Sequence, residues 1–492
     1  MKILLVYPQG PDTFWNLKHI LPFISKKSLL PPLGLVTVAA MIPDDWSKKI
    51  IDTSIDELTD EDIQWADMVF ISGMHIQLEA VRKIIDRCKK LDTKTVGGGP
   101  LFTGAPDLLD DVDHLILNEA EITLKPFIED LQKGQAKHIY TTADWADITE
   151  TPAQNWDLID ITRYASMCVQ FSRGCPFGCD FCDVTKLFGN RMRLKTAEQF
   201  IAEFDNLYER GWRGDIFIVD DNFIGNKTEL KKNVLPALIE WMQARDYPFQ
   251  FNTQVSINIS DDDELMEMMA KAGFEKVFIG IETPHEDSLT ECNKGQNTNR
   301  DLVGCVKKIQ QFGIQVQAGF IVGFDSDQSS IFQSMIDFIQ ASGIITAMVG
   351  LLRAPYGTAL YKRMERENRL LDTISGDNTD TIINFIPKMD HDELVSGFQR
   401  IISTIYSPQN YCKRTMTLLK NFKPMKKKTQ LHLSDLKTLS KTIWQIGICD
   451  SKRWYFWKPV LWTLFRKPQL LNVAVTASIY GLHFKRIFNS YQ

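Results

Sequence analysis

Arg173-Gly174-Cys175-Pro176-Phe177-Gly178-Cys179-Asp180-Phe181-Cys182 sets three thiols at the spacing C-x3-C-x2-C, directly after the apolar run Met167–Ser172. Three thiolates so spaced can hold three irons of a [4Fe–4S] cube and leave the fourth iron open. Gly174 and Gly178 permit tight turns, and Phe181 can shield such a cluster from water. A structural zinc ion is the alternative. It wants a fourth Cys or His close by, and the nearest downstream candidates, His285 and Cys292, are distant in the sequence. Disulfide frameworks belong to small secreted chains, whereas this chain has 492 residues and an odd nine cysteines. The triplet therefore reads as a metal site in a reducing compartment. Cys88, Cys168, Cys292, Cys305, Cys412 and Cys449 read as buried small residues.

Downstream of the triplet, strand patterns recur at Asp215–Asp220, Phe249–Gln254, Lys276–Ile281, Gln315–Val322 and Ala347–Leu352. Helical patterns lie between them, at Thr196–Arg210, Lys231–Arg245, Asp263–Ala272, Asn299–Phe312 and Ser330–Ala341. With Met167–Ser172 this makes six β/α repeats, which fits a partial (β/α)6 barrel. Upstream, strands Lys2–Tyr7, Met68–Ser72 and Thr95–Val96 alternate with helices Leu33–Met41 and Leu78–Lys90, the pattern of a parallel Rossmann-like sheet. Such sheets bind ligands beyond the carboxyl ends of their strands, and the third strand runs into Gly97-Gly98-Gly99-Pro100. The predicted fold class is α/β: residues 1–140 as the Rossmann-like domain, 141–165 as a linker, 166–370 as the barrel, and 371–492 as a mainly helical extension.

The net charge of −6 hides a division. Residues 1–410 carry 40 Lys/Arg against 60 Asp/Glu, and residues 411–492 carry 16 against 2. Nucleic acid is a poor partner for so acidic a body. The basic tail, rich in Trp, suits an anionic membrane interface or, alternatively, the acidic surface of the same molecule, where it would close the substrate end of the barrel. The N-terminal apolar run is too short for a signal peptide, and no stretch reaches about 18 uninterrupted apolar residues. A cytoplasmic location is expected, with the tail a candidate for the inner face of the membrane.

The C-x3-C-x-aromatic-C segment after the first barrel strand resembles the radical S-adenosylmethionine (SAM) superfamily. The resemblance implies a SAM that chelates the fourth iron and, on one-electron reduction, yields methionine and a 5′-deoxyadenosyl radical that abstracts hydrogen. Asp220-Asp221-Asn222 resembles the segment that meets the SAM amino group. Glu282, in Gly280-Ile281-Glu282-Thr283-Pro284, resembles the ribose-binding carboxylate, and Gly319-Phe-Ile-Val-Gly323 the stretch along adenine. The catalytic residues beyond these are not named by the sequence. Lys2–Pro8, Pro31–Leu35, Gly97–Pro100 and Leu117-Asn118-Glu119-Ala120-Glu121 resemble the cobalamin-binding domain that precedes some radical SAM enzymes. Asn118 and Ala120 depart from the G-E-x-E form of that last segment. No second cysteine triplet marks an auxiliary cluster, which argues against sulfur insertion. Taken whole, the chain resembles the subset that includes the hopanoid C-2 methylase.

These features imply a cobalamin-dependent C-methyltransferase acting on an unactivated carbon of a small molecule or lipid, reduced by a flavodoxin or ferredoxin. A radical cyclase or oxidase, or a non-catalytic Fe–S regulator, are the alternatives. Because the two cofactors fall on separate predicted domains, removing residues 1–140 is expected to abolish corrinoid binding and spare the cluster. Cys175→Ala, Cys179→Ala and Cys182→Ala should each abolish the cluster absorption and SAM cleavage, since three thiolates are the minimum that leaves one iron open. An intact, SAM-responsive cluster in any one variant would refute the ligand set.

Overall fold

The computed structural model describes residues 1–109, 111–373, 375–424 and 433–489; the Lys426–Lys428 run lies outside them. The first sheet comprises β1 (Lys2–Tyr7), β2 (Ser47–Asp52), β3 (Met68–Ser72), β4 (Lys94–Gly98), β5 (His114–Ile116) and β6 (Ile139–Tyr140). All pair in parallel, in the order β2-β1-β3-β4-β5-β6. Ile3–Val6 are buried on both faces, as expected of a central parallel strand covered by helices on both sides. β1, β3 and the helices Leu33–Met41 and Leu78–Lys90 have the predicted bounds. β2, β5 and β6 were not predicted. β2 begins Ser-Lys-Lys at a sheet edge, and β5 and β6 are too short to show a period.

The second sheet holds β7 (Ser166–Val169), β10 (Asp215–Ile218), β11 (Gln250–Gln254), β12 (Phe274–Glu282), β13 (Gln315–Val322) and β14 (Ala347–Leu351). They pair in parallel in chain order, with β7 and β14 as its two edges. A two-residue antiparallel ladder, β8 (Ser172–Arg173) with β9 (Arg193–Leu194), follows β7. Along β12, Val277, Ile279 and Ile281 are buried against the outer helices, while Phe278 and Gly280 stay partly accessible. That alternation points Phe278, Gly280 and Glu282 into the barrel. By the same register Gln317, Gly319 and Ile321 of β13 face inward.

The C-terminal part is helical: His391–Ile405, Pro408–Asn421, Leu433–Thr442, the π-helical run Ile443–Ile448, Trp454–Arg466 and Leu471–Asn489. Among the described residues no helix is long and apolar enough to cross a membrane. Its last helix docks on the loop after β1. Phe484 stacks on Phe14 (4.4 Å between centroids, 10° between planes), Phe14 meets Trp15 edge-on, and Trp15 meets Phe278 on β12. His483, whose pKa burial lowers to about 4, is a neutral imidazole that donates from Nε2 to the Phe14 carbonyl (3.1 Å). Tyr406 bonds both backbone groups of Ala347, the first residue of β14. The tail therefore seats against the amino-terminal ends of the strands, away from the cysteine loop; it does not close the opposite end.

One continuous hydrophobic cluster contains Ile3 and Phe14, the barrel strands, and Phe484 and Phe488. A smaller one fills the other face of the first sheet, around Val69 and Phe102. Phe14→Ala should therefore cost about 3–5 kcal/mol, read as a fall in the chemical denaturation midpoint. A loss below about 1 kcal/mol would mean that the tail contributes nothing to the shared core.

Candidate functional site

The β8–β9 ladder clasps residues 174–192 into a closed loop that carries all three cysteines. Gly174 sits at φ +90°, and a Cβ there would lie 2.8, 3.0 and 3.2 Å from the carbonyl oxygens of Arg191, Gly189 and Phe188. Only glycine fits such a position. Asn293 donates from Nδ2 to the Gly178 carbonyl (2.8 Å), and the Asp180 N–H donates to the Cys292 carbonyl (3.1 Å). Burial raises the pKa of the Cys175 and Cys179 thiols and pushes Cys182 up to about 12. Thiols so placed ionise at neutral pH only against a strong positive charge, which a metal cluster supplies. Among the described residues no three His, Cys, Asp or Glu side chains converge on one ion. Three thiols on one loop fit the three irons that the protein would hold in such a cluster, and the fold brings Cys292 beside them, its carbonyl bonded to Asp180. Phe181 lies edge-on to Phe324, 6.3 Å away, beside the loop.

The strand ends converge beside this loop. Asp220, fully buried, accepts from the Phe171 N–H (2.9 Å) and the Ser172 hydroxyl, tying β10 to the entrance of the cysteine loop. Burial pushes its pKa up to about 6. Asp221 accepts from the Gly174 N–H; burial, then Asp220 and Asp183, push it up to about 7. Asn222 is bonded to Ser256. Glu282 holds φ +65° at the end of β12, where the register against β13 breaks between Gly280 and Glu282. Such a break re-aims a side chain, and here the carboxylate meets Lys294 Nζ at 2.7 Å. Burial opposes the charge on Lys294, but Glu282, Cys179 and Cys182 outweigh it and raise its pKa. A Cβ on Gly319 would touch the Phe278 ring at 3.0 Å. Gly323, at φ +105°, donates its N–H to Asp327 (2.8 Å).

In the first domain, Gly97, Gly98 and Gly99 end β4 at the carboxyl edge of the sheet. A Cβ on Gly97 would enter the Phe102 ring (2.4 Å), and Gly99, at φ +90°, lies against Ser72 Oγ. Gly97 is buried under Phe102, while Gly98 and Gly99 stay partly accessible at the carboxyl end of the sheet, where folds of this kind bind their ligands. His75, half-buried after β3, lies against Gly104. Lys186, on the helix that follows the cysteines, reaches toward the Gly104 carbonyl (3.4 Å) and donates to Tyr356 O (2.9 Å). The helix after the glycine turn and the helix after the cysteines are therefore in contact.

The strongest tie between the two domains was not predicted. Arg173 bridges Glu119 (2.8 Å) and Glu121 (2.7 Å), and Arg193, its partner across the β8–β9 ladder, bridges Glu119 (2.7 Å). Burial lowers the Arg173 pKa, but Glu121 and Glu119 overcome that and raise it. Asn118, at the departure from the G-E-x-E form, has φ +63°. Asn is the side chain that best tolerates this conformation, and its Oδ1 accepts from Thr141 Oγ1 (2.7 Å). The departure from G-E-x-E is thus conformationally conservative. Arg193 and Lys294 carried no local signal, since their partners lie 74 and 12 residues away. Of the six other cysteines, Cys449 is exposed and Cys305 half-buried, against expectation. Removing residues 1–140 would also take away Glu119 and Glu121, the carboxylates that pair with Arg173 and Arg193 at the base of the cysteine loop. Glu119→Gln should cost about 3–5 kcal/mol and lower the iron bound per chain after anaerobic reconstitution, with corrinoid binding retained. Wild-type iron content would refute the coupling.

Residues 23–128 match the B12 binding domain, 169–339 the radical SAM superfamily, and 358–492 a domain of unknown function. An uncharacterised methyltransferase of Synechocystis sp. is 39% identical over 490 residues, 98% of this chain and 91% of its own. The hopanoid C-2 methylase of Rhodopseudomonas palustris is 33% identical over 495 residues, 97% of this chain and 92% of its own. The solved radical S-adenosylmethionine methyltransferase TsrM of Kitasatospora setae, with cobalamin and a [4Fe-4S] cluster bound, shares the fold. It superposes at TM-score 0.65 with 14% identity, covering 85% of this chain and 99% of its own. The cyclase, oxidase and regulator alternatives are not favoured by these relatives. The chain belongs to the cobalamin-dependent radical SAM methyltransferases and uses a [4Fe–4S] cluster, SAM and cobalamin.

Proposed function

We propose that this chain methylates an unactivated carbon of an apolar, polycyclic lipid of the hopanoid kind. The observation that carries the reading is the approach of Lys186, on the helix after the cysteines, to Gly104, on the helix after the glycine turn, with the carboxylates Asp221 and Glu282 set at the strand ends. The methylase relative's substrate class supports the choice of lipid. When bound, the cluster and SAM supply hydrogen abstraction by a carbon radical, and cobalamin supplies a methyl group.

The chain's own side chains divide the remaining work. Cys175, Cys179 and Cys182 hold three irons. Asp221 binds the SAM amino group and Glu282 the ribose, each a carboxylate facing a cationic or hydroxyl-rich ligand. Asp220 and Asn222 are positioning residues, spent on Phe171, Ser172 and Ser256. Gly319 and Gly323 leave room along the adenine, Gly97, Gly98 and Gly99 form the turn that meets the corrin, and Phe181 excludes water. Residues 1–140 form the cobalamin domain, 141–165 its linker, 166–370 the barrel and 371–492 the extension. A flavodoxin or ferredoxin delivers the electron, and the enzyme works at the cytoplasmic face of the membrane, which it touches through residues 411–492.

The test uses protein anaerobically reconstituted with its cluster and cobalamin, reduced flavodoxin as electron donor, SAM carrying a deuterated methyl group, and a detergent-dispersed hopanoid. Labelled, methylated product is expected; SAM cleavage to methionine with no label in any lipid would overturn methyl transfer. Glu282→Gln should weaken SAM binding about tenfold, a loss of about 1.4 kcal/mol, at unchanged iron content, read by calorimetry. Unchanged affinity would remove Glu282 from the SAM site.

A further inference from the structure

The helix Trp454–Arg466 is apolar on two opposite faces. Phe456, Pro459, Val460 and Thr463 are buried in the C-terminal core. Trp454, Leu461, Leu464 and Phe465 point outward, with 65%, 37%, 47% and 81% of their surface exposed. A helix that is hydrophobic all round belongs inside a protein or against lipid, and this one has water on one side. Beside it, on the run Ile443–Ile448, Trp444 and Ile448 are also exposed, one turn apart. Trp457 fixes the two segments together by donating to the Gly447 carbonyl (2.9 Å).

The cations of the tail separate into two sets. Arg414 is fully buried and bonds Gln340 Oε1 and the Ile405 carbonyl. Lys467 caps the helix Pro408–Asn421 through the carbonyls of Leu419, Lys420 and Phe422, and Lys441 bonds the Pro22 carbonyl. These hold the fold. Lys452, Arg453, Lys458 and Arg466 are exposed beside the apolar face and have no ion pair among the described residues. No Asp or Glu follows Asp450 in the sequence.

We infer that this face, centred on Trp454 and Phe465, docks the enzyme on an anionic lipid bilayer. Protruding aromatic rings seat at headgroup depth, apolar side chains enter the acyl boundary, and the unpaired cations meet anionic headgroups. A second copy of the chain fits less well, because a two-fold contact through this face would bring its cations against one another. The inference deepens the proposed function and rests on it for the lipid substrate. It also gives the domain of unknown function a role, that of holding the enzyme at the phase in which such a substrate resides.

The test is co-sedimentation of the full-length protein with phosphatidylcholine vesicles, with and without phosphatidylglycerol, at low and high salt. Binding is expected only with the anionic lipid and should fall with salt. Phe465→Glu, and separately the pair Lys458→Glu and Arg466→Glu, should weaken it at least about tenfold with an unchanged thermal midpoint. Brominated lipid should quench a fraction of the tryptophan fluorescence that Trp454→Phe removes. Failure of the wild type to pellet with anionic vesicles at low salt would overturn the inference. So would undiminished binding by Phe465→Glu, or a wild-type dimer that this substitution dissociates without any vesicle binding. Methyl transfer by the unaltered protein to detergent-dispersed substrate is read separately, so loss of docking and loss of the proposed reaction stay distinguishable.

Discussion

The arrangement of both cofactor sites depends on four charges, Glu119 buried and the other three largely withdrawn from water. Glu119 and Glu121 belong to the end of the first sheet, and Arg173 and Arg193 to the two strands that pinch the cysteine loop shut. Placing these ions out of water costs several kcal/mol each, and their attraction offsets that only in good geometry. The pairing therefore tolerates little relative movement of its two halves. A pair of apolar side chains in the same place could be as stable, but it would not fix an orientation. Guanidinium forks facing carboxylates do so, and the fork of Arg173 sits one residue from Gly174, which no larger residue could replace. The cysteine loop is held from its base by the domain that carries the glycine turn.

The electrostatics at the mouth follow from the same crowding. Asp183, Asp220, Asp221 and Glu282 gather near three thiols, with Lys294 as the cation whose charge reaches Cys175, Cys179 and Cys182 together. Burial, and then the neighbouring Asp220 and Asp183, push Asp221 up to about 7, so this crowding of acid favours protonation. A ligand carrying ammonium and sulfonium charges relieves it better, by replacing protons with fixed positive charge. The acid-rich mouth is thus poised for a cationic ligand, while Asp220, bonded to Phe171 and Ser172, supports the loop.

Much of this was legible in the sequence, for definite reasons. The cysteine spacing is a local signal, and central parallel strands such as Ile3–Val6 and Gln315–Val322 carry long apolar or alternating runs that reveal their bounds. Edge and short strands do not, so β2, β5 and β6 were missed. Within Asp220-Asp221-Asn222, just beyond β10, the sequence marked a segment, but only the hydrogen bonds separate its members: Asp220 to Phe171 and Ser172, Asp221 to Gly174, Asn222 to Ser256. Glu119 with Arg173 was illegible for a different reason. Fifty-four residues separate the partners, and neither residue type is unusual where it stands. The significance of Asn118 was hidden likewise, since a positive φ leaves no trace in composition.

The C-terminal charge illustrates why composition alone leaves two readings open. Sixteen cations against two acids look like one basic patch, yet the fold consumes part of it. Arg414, with no carboxylate near, is stabilised between the rings of Tyr406 and Tyr411 and by backbone carbonyls. Lys467 takes the place of a helix cap, answering carbonyls that the last turn of a helix leaves unpaired. Burying these side chains requires apolar and aromatic company, which also explains many of the tail's rings. What the core does not require is the outward row from Trp454 to Phe465 and the unpaired cations beside it. A large aromatic side chain left 81% exposed gains nothing from folding. Its retention next to unpaired positive charge therefore places its energetic return outside the folded chain, in whatever surface that face meets.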